Sequence, residues 1–469
     1  MKRLTFLLLF TLLALLLCAA AGADAPALYP FRENGLWGYM DRDGKTVIAP
    51  QYAQAEGFRG GYALVYTDGE RQVCGILDAS GNWALAPERR EILQADGWGH
   101  PIGGWDTGIY ILWETGPDRK AGFFDIPSGF CSEAAYGWVA AEWLGTLDPE
   151  LLCVEKDGAE GFVSRDGGEW RVPSRYDPAQ YYDFEGDFCA VRADGSAIAD
   201  HWILIDAQGN EIPLPENCYL MGETGTRTGD LVPVWELDPR QNPDGFADEA
   251  ERWGYIDTAG NLKIPPQYAA AWPFSGDRAC VILPSGELAV ITPENEVAGV
   301  IPAAFDPYAR HVYTQGLLLL AESAEDGAPG VIRAYDRDAK EAFRLEIDHL
   351  AYAWEPFANG TAFYFPETEE GGGEAYAYLC GLFSLRGELL TQPVFYVREA
   401  DLYGDFSEGV FPVIDAATGK QGFIDERGQW AVPPVWDRAE PFRNGLALVE
   451  KDGKLAYIDR SGAAVWEEK

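Results

Sequence analysis

The sequence predicts an all-β protein built as a tandem array of about ten or eleven copies of a β-hairpin or three-stranded unit, each roughly 40 residues long. Three observations predict it. A short motif of aromatic, glycine, aromatic, apolar residue and aspartate recurs along the chain. A second motif built on apolar-x-Pro follows it. The glycines of successive copies keep one period.

The chain opens with Met1-Lys2-Arg3, an apolar run from Leu4 to Leu17, and the small residues Ala19 to Ala23. That order predicts a secretion signal over residues 1–23, cut after Ala23, since the run is short for a membrane span. Cys18 raises lipoprotein anchoring, but the bulky Leu17 before it argues against that. No second run of this kind follows, so no span is expected in the mature chain.

The array then fills residues 24–469. Its clearest copy reads Trp37-Gly38-Tyr39-Met40-Asp41-Arg42-Asp43-Gly44. Close copies are Trp253-Gly254-Tyr255-Ile256-Asp257 through Gly260, and Gln421-Gly422-Phe423-Ile424-Asp425 through Gly428. Weaker copies contain Gly75, Gly122, Gly161 and Gly381. Gly38 to Gly75 is 37 residues, Gly122 to Gly161 is 39, and Gly381 to Gly422 is 41. Longer gaps are multiples of the same step, with Gly161 to Gly254 at 93.

Within a copy, alternation puts Trp37 and Tyr39 on one strand face. Asp at the first position and Gly at the fourth is a turn signature. It recurs as Asp41…Gly44, Asp78…Gly81, Asp206…Gly209, Asp257…Gly260, Asp425…Gly428 and Asp459…Gly462. The aspartate bonds backbone two residues on, and the glycine takes the left-handed conformation that closes a bulged hairpin. The second motif appears as Ile48-Ala49-Pro50-Gln51-Tyr52, Ile264 to Tyr268 and Val432 to Trp436, followed by Phe58, Phe274 and Phe442. Its prolines are expected to stop strand pairing, having no N–H to donate. Helical periodicity is weak throughout, the one candidate being a short stretch from Asp248 to Arg252.

These motifs resemble the WG-repeat family, named for the pair kept at Trp37-Gly38 and Trp253-Gly254. The resemblance spans the mature chain. It implies an all-β repeat protein, often exported in bacteria, with no general catalytic residues. One unit cannot bury its own aromatics, so neighbours must stack, as an open curved array or as propeller-like rings. A Pro/Gly-rich loop at 236–251 divides the array into candidate halves, 24–235 and 252–469.

Charge narrows the partners. Without Lys2 and Arg3, 34 basic residues face 75 acidic ones, a net charge of −41. Such a surface repels nucleic acid and anionic lipid. The seven mature cysteines, with no Cys-x-x-Cys, suggest small buried hydrophobes rather than a disulfide framework or zinc site.

No catalytic constellation is read. His100, His201, His311 and His349 are scattered. Gly44-Lys45-Thr46 lacks the spacing and following helix of a phosphate loop. Asp41-x-Asp43-Gly44 resembles the start of a calcium loop, yet the other copies keep only the turn residues. No cofactor is expected. Tryptophans crowd residues 98–143, and Trp98 and Trp105 sit among glycines as weak candidates for stacking on sugar rings. The expectation is a non-catalytic scaffold binding a protein or cell-envelope polymer. The alternatives are a carbohydrate-binding module near 98–143 and a hydrolase built on acidic loops.

Overall fold

The computed structural model describes residues 27–93, 108–116, 119–139, 150–176, 188–192, 202–220, 231–237, 251–302, 311, 313–323, 329–354, 356–366, 377–402 and 406–469. They are strands and tight turns, with one helical turn at Glu399–Leu402. The chain separates into two compact units, residues 1–90 with 468–469, and residues 91–467.

In the first unit, Tyr29–Glu33 pairs antiparallel with Leu36–Met40, which pairs with Thr46–Tyr52. The first hairpin turns on Asn34 and Gly35 at φ 52° and 81°, the two left-handed residues of a type I′ turn. After Ala53 the chain re-enters strand at Gln54–Ala55, then forms Tyr62–Tyr66 and Val73–Asp78. The two sheets enclose Tyr39, Ile48, Tyr52, Ala63, Val65 and Leu77. Burying one such aromatic or aliphatic side chain contributes on the order of 1.5–3 kcal/mol, and a hairpin alone could not do it.

The second unit repeats the scheme in open antiparallel sheets of neighbouring strands, three or four strands in most. Cys218–Leu220, Leu231–Leu237, Glu251–Asp257 and Leu262–Tyr268 form one sheet, and Ala270–Ala271, Ala279–Ile282, Leu288–Ile291 and Val297–Ile301 the next. Their shared core holds Trp253, Tyr255, Ile264, Tyr268, Phe274, Val281 and Ile291. The last pair of sheets repeats it with Phe423, Val432, Phe442, Val449 and Ile458.

Three details depart from the sequence reading. Glu251 and Arg252 are strand, paired with Leu237 and Glu236, because they extend the hairpin that carries Trp253. The loop between candidate halves therefore joins two strands of one sheet, with 238–250 outside the described residues. The prolines interrupt pairing without ending the strand, since Thr46–Tyr52 and Leu262–Tyr268 continue past them and pair again at Tyr52 and Tyr268. The opening strand of several sheets is a two-residue segment such as Gln54–Ala55 or Ala270–Ala271, too short to signal in sequence.

Candidate functional site

The recurring unit is the place to look, and its geometry starts from the glycine. Trp253 pairs with Tyr268 and Tyr255 with Ile264, so three residues, Pro265 to Gln267, bulge opposite Gly254 alone. The first and last copies do the same, Trp37 with Tyr52 and Tyr39 with Ile48, Gln421 with Trp436 and Phe423 with Val432. The bulge brings backbone onto the glycine. A Cβ at Gly38 would stand 2.4 Å from the Ile48 carbonyl oxygen, and at Gly422 2.7 Å from that of Val432. Proline suits the bulge, where no ladder hydrogen bond is lost to its missing N–H. Trp-Gly and apolar-x-Pro are thus two halves of one contact.

The third position of the motif locks the next sheet. Tyr39 meets Phe58 edge to face at 4.7 Å between ring centroids, Tyr255 meets Phe274 at 4.9 Å, and Phe423 meets Phe442 at 4.7 Å. The tyrosine hydroxyls also donate to backbone carbonyls, Tyr39 to Glu56 at 2.9 Å and Tyr255 to Trp272 at 2.8 Å. Burial drives the Tyr255 phenol well above its ordinary range. Phe423 keeps the ring contact without a hydroxyl, so Tyr255→Phe should cost only about 1 kcal/mol. Phe274→Ala should cost about 3–5 kcal/mol. Thermal midpoints of the two variants check this ordering, and equal losses would disprove it.

All six Asp…Gly turns share one hydrogen-bond set. In Asp257…Gly260 the Gly260 N–H donates to the Asp257 carbonyl at 3.0 Å. The Asp257 carboxylate accepts from the N–H groups of Ala259 at 3.0 Å and Asn261 at 2.8 Å. Asp41, Asp78, Asp206, Asp425 and Asp459 accept from the same two positions. Asn261's side-chain amide above all, with these N–H groups and Lys263, outweighs burial and holds the Asp257 carboxyl at about 2. The glycines sit at φ between 70° and 82°. A seventh turn, Asp336 to Ala339, bonds alike with Ala339 at φ 57°, a position the Asp…Gly pattern missed. These carboxylates serve the backbone. Among the described residues, no group of three or more His, Cys, Asp or Glu is placed to hold a metal ion.

Trp98, Trp105 and Trp143 lie outside the described residues, as do His100 and His201. Two members of that tryptophan group are described. Trp113 is half-buried, with the Arg119 guanidinium 4.4 Å over its ring and Glu91 paired to Arg119 at 2.8 Å. Trp138 packs half-buried against the neighbouring core. His311 is buried against the Trp272 ring, and His349, at φ 57°, lies between Glu341–Ile347 and Leu350–Ala353, strands of two different sheets. Cys74, Cys153, Cys189, Cys218, Cys280 and Cys380 are buried free thiols, while Cys131 is exposed. Burial pushes the Cys280 and Cys380 thiols up, away from the reactive thiolate.

Outward-facing aromatics occur elsewhere. Tyr352, 40% exposed, stacks on buried Phe365 at 4.6 Å, and Tyr378, 38% exposed, meets the same ring edge-on. Tyr219 stacks on Trp235 at 4.8 Å across two strands. Sequence reasoning missed both pairs, because cross-strand register is what assembles them.

The sequence profile described as WG containing repeat matches residues 37–70, 253–283 and 422–454. No curated protein matches the chain. Among solved structures, similarity extends to a eukaryotic initiation factor at 13% identity, covering 80% of this chain and 96% of that one, with a TM-score of 0.38. BamB from Moraxella catarrhalis is similar at 10% identity, covering 67% and 93%, with a TM-score of 0.30. Dihydro-heme d1 dehydrogenase NirN, in complex with DHE, is similar at 12% identity, covering 78% and 74%, with a TM-score of 0.30. Among the described residues, no helix is long and apolar enough to cross a membrane.

Proposed function

We propose that this chain, a carrier of WG containing repeats, is an exported, non-catalytic scaffold that binds a protein or cell-envelope polymer. One observation supports the reading most. The residues of the repeat that have chemistry to offer are committed to the fold, the aspartates to turn N–H groups and most thiols to the core. What the strands that follow the Asp…Gly turns expose to solvent includes an apolar side chain in each clear copy, at differing positions, Val47 at 50%, Leu262 at 41% and Val435 at 43% exposed. Such strands suit an extended partner lying across several units.

The test has two arms. Fractionation with intact-mass measurement should find the chain outside the cytoplasm, cut after Ala23. The purified mature chain should co-sediment with envelope polymer or cross-link to one surface protein in intact cells. An uncut cytoplasmic chain, or no retention by either partner class, sinks the proposal.

Carbohydrate binding is the second reading, favoured by the exposed faces of Tyr352 and Tyr378 beside Phe365. A glycan array of the mature chain should then give a signal that Tyr352→Ala removes, and silence on the array removes this reading.

A further inference from the structure

We propose that the second residue of the hairpin turn, where it is an arginine, ties its sheet to the one before it by reaching back to a carboxylate. Three turns of the second unit show it. Arg165 follows Ser164 and bonds Asp125, Arg337 follows Asp336 and bonds Asp277, and Arg460 follows Asp459 and approaches Glu408 at 4.0 Å. Each carboxylate lies in the sheet before the arginine's own, or between two strands of that sheet. The guanidinium also lies against a left-handed glycine of the same earlier sheet. A Cβ at Gly108, Gly276 or Gly409 would meet Arg165 at 3.2 Å, Arg337 at 3.5 Å or Arg460 at 3.8 Å.

Further bonds strengthen the second tie, with Arg278 Nε donating to the Arg337 carbonyl at 2.8 Å. At the third, Glu408 also accepts from the Gly445 N–H at 2.8 Å, and the Arg460 guanidinium lies 5.9 Å over the Phe442 ring. Arg42 occupies the same turn position between Leu36–Met40 and Thr46–Tyr52, for which the described residues include no earlier sheet. It is exposed and makes no ion pair among the described residues. Among the described residues the tie is thus found where an earlier sheet offers a carboxylate, and the turn sequence alone does not make it.

Burial grades these joints. Arg165 and Asp125 are 8% and 4% exposed, Arg337 and Asp277 are 45% and 56%, and Arg460 and Glu408 are 48% and 30%. Salt screens exposed pairs and leaves buried ones nearly untouched, with a Debye length of about 3 Å at 1 M. Among the described residues, the joint near 125–165 is thus salt-resistant and those near 277–337 and 408–460 are salt-sensitive.

Hydrogen exchange of the full mature chain in 0.05 M and 1 M NaCl tests this. Exchange in 330–347 and 454–467 should quicken roughly 2- to 5-fold relative to 151–176 in the same sample. Arg337→Gln should already produce that ratio for 330–347 at low salt, and Arg42→Gln should leave 36–52 unchanged. A uniform salt response would overturn the proposal. So would an Arg337→Gln variant that exchanges like the wild type, or an Arg42→Gln variant as loosened as Arg337→Gln.

Discussion

Replacing Gly254 by alanine should cost the protein on the order of 3 kcal/mol or more, for the addition of one methyl group. The new Cβ would stand 2.3 Å from the Ile264 carbonyl oxygen and 2.7 Å from the Pro266 nitrogen. Those are backbone atoms, which cannot swing aside as a side chain can. Relief requires opening the bulge, and the bulge sets the register on both of its sides. Ile264 and Tyr268, 0% and 4% exposed, would leave their places in the shared core. Two alanines calibrate the result. At Gly122 the nearest atoms are the Glu133 carbonyl oxygen and Ser132 Oγ, both 3.0 Å away, so the loss should be nearer 1 kcal/mol. Gly57 has nothing within 4 Å of its added Cβ, and alanine there should be neutral or stabilise by about 0.4–1 kcal/mol. Calorimetric midpoints rank the three. Equal shifts at Gly254 and Gly57 would show that the crossing strand yields, contrary to the close approach described above.

Much of this unit was legible because its determinants are local. Asp41 and Gly44 are three residues apart, and the turn they predict is the one found, down to the N–H groups the carboxylate accepts. The repeat spacing was legible for the same reason. The role of proline was misread because its meaning depends on the opposite strand. Pro50 reads as a breaker until Gly38 is seen beneath it, leaving the bulged residues without ladder partners. Asn34-Gly35, Asp157-Gly158 and Asp452-Gly453 were a readable signal left unused. All three are type I′ hairpins, with both residues at positive φ. The outward-facing pair of Tyr352 and Tyr378 was out of reach, since it exists only once Phe365 lies between them in the sheet. The reverse holds for the tryptophans of residues 98–143. Composition drew attention to them, yet of the two described, one lies under an arginine and the other packs against a core.

The tie between Arg165 and Asp125 was equally hidden, because its partners stand 40 residues apart with nothing local to pair them. It makes the second large prediction. Arg165 Nε and Nη2 lie 3.0 and 2.9 Å from one Asp125 oxygen, and the other oxygen accepts from the Ser128 hydroxyl at 2.6 Å. Arg165→Ala leaves that carboxylate buried with its cation gone, and should cost about 3–5 kcal/mol. Asp125→Ala takes the buried carboxylate from the Arg165 guanidinium and should cost about as much. Removing both charges is a different case. With leucine at both positions the two charges of the pair leave together, and most of the loss should return, less about 1 kcal/mol for the Ser128 hydrogen bonds to the Asp125 carboxylate. Denaturant unfolding of the two single variants and the double leucine variant reads the outcome directly. A double variant as unstable as the sum of the singles would mean that Arg165 and Asp125 act separately, and that something other than their charge pairing joins these two sheets.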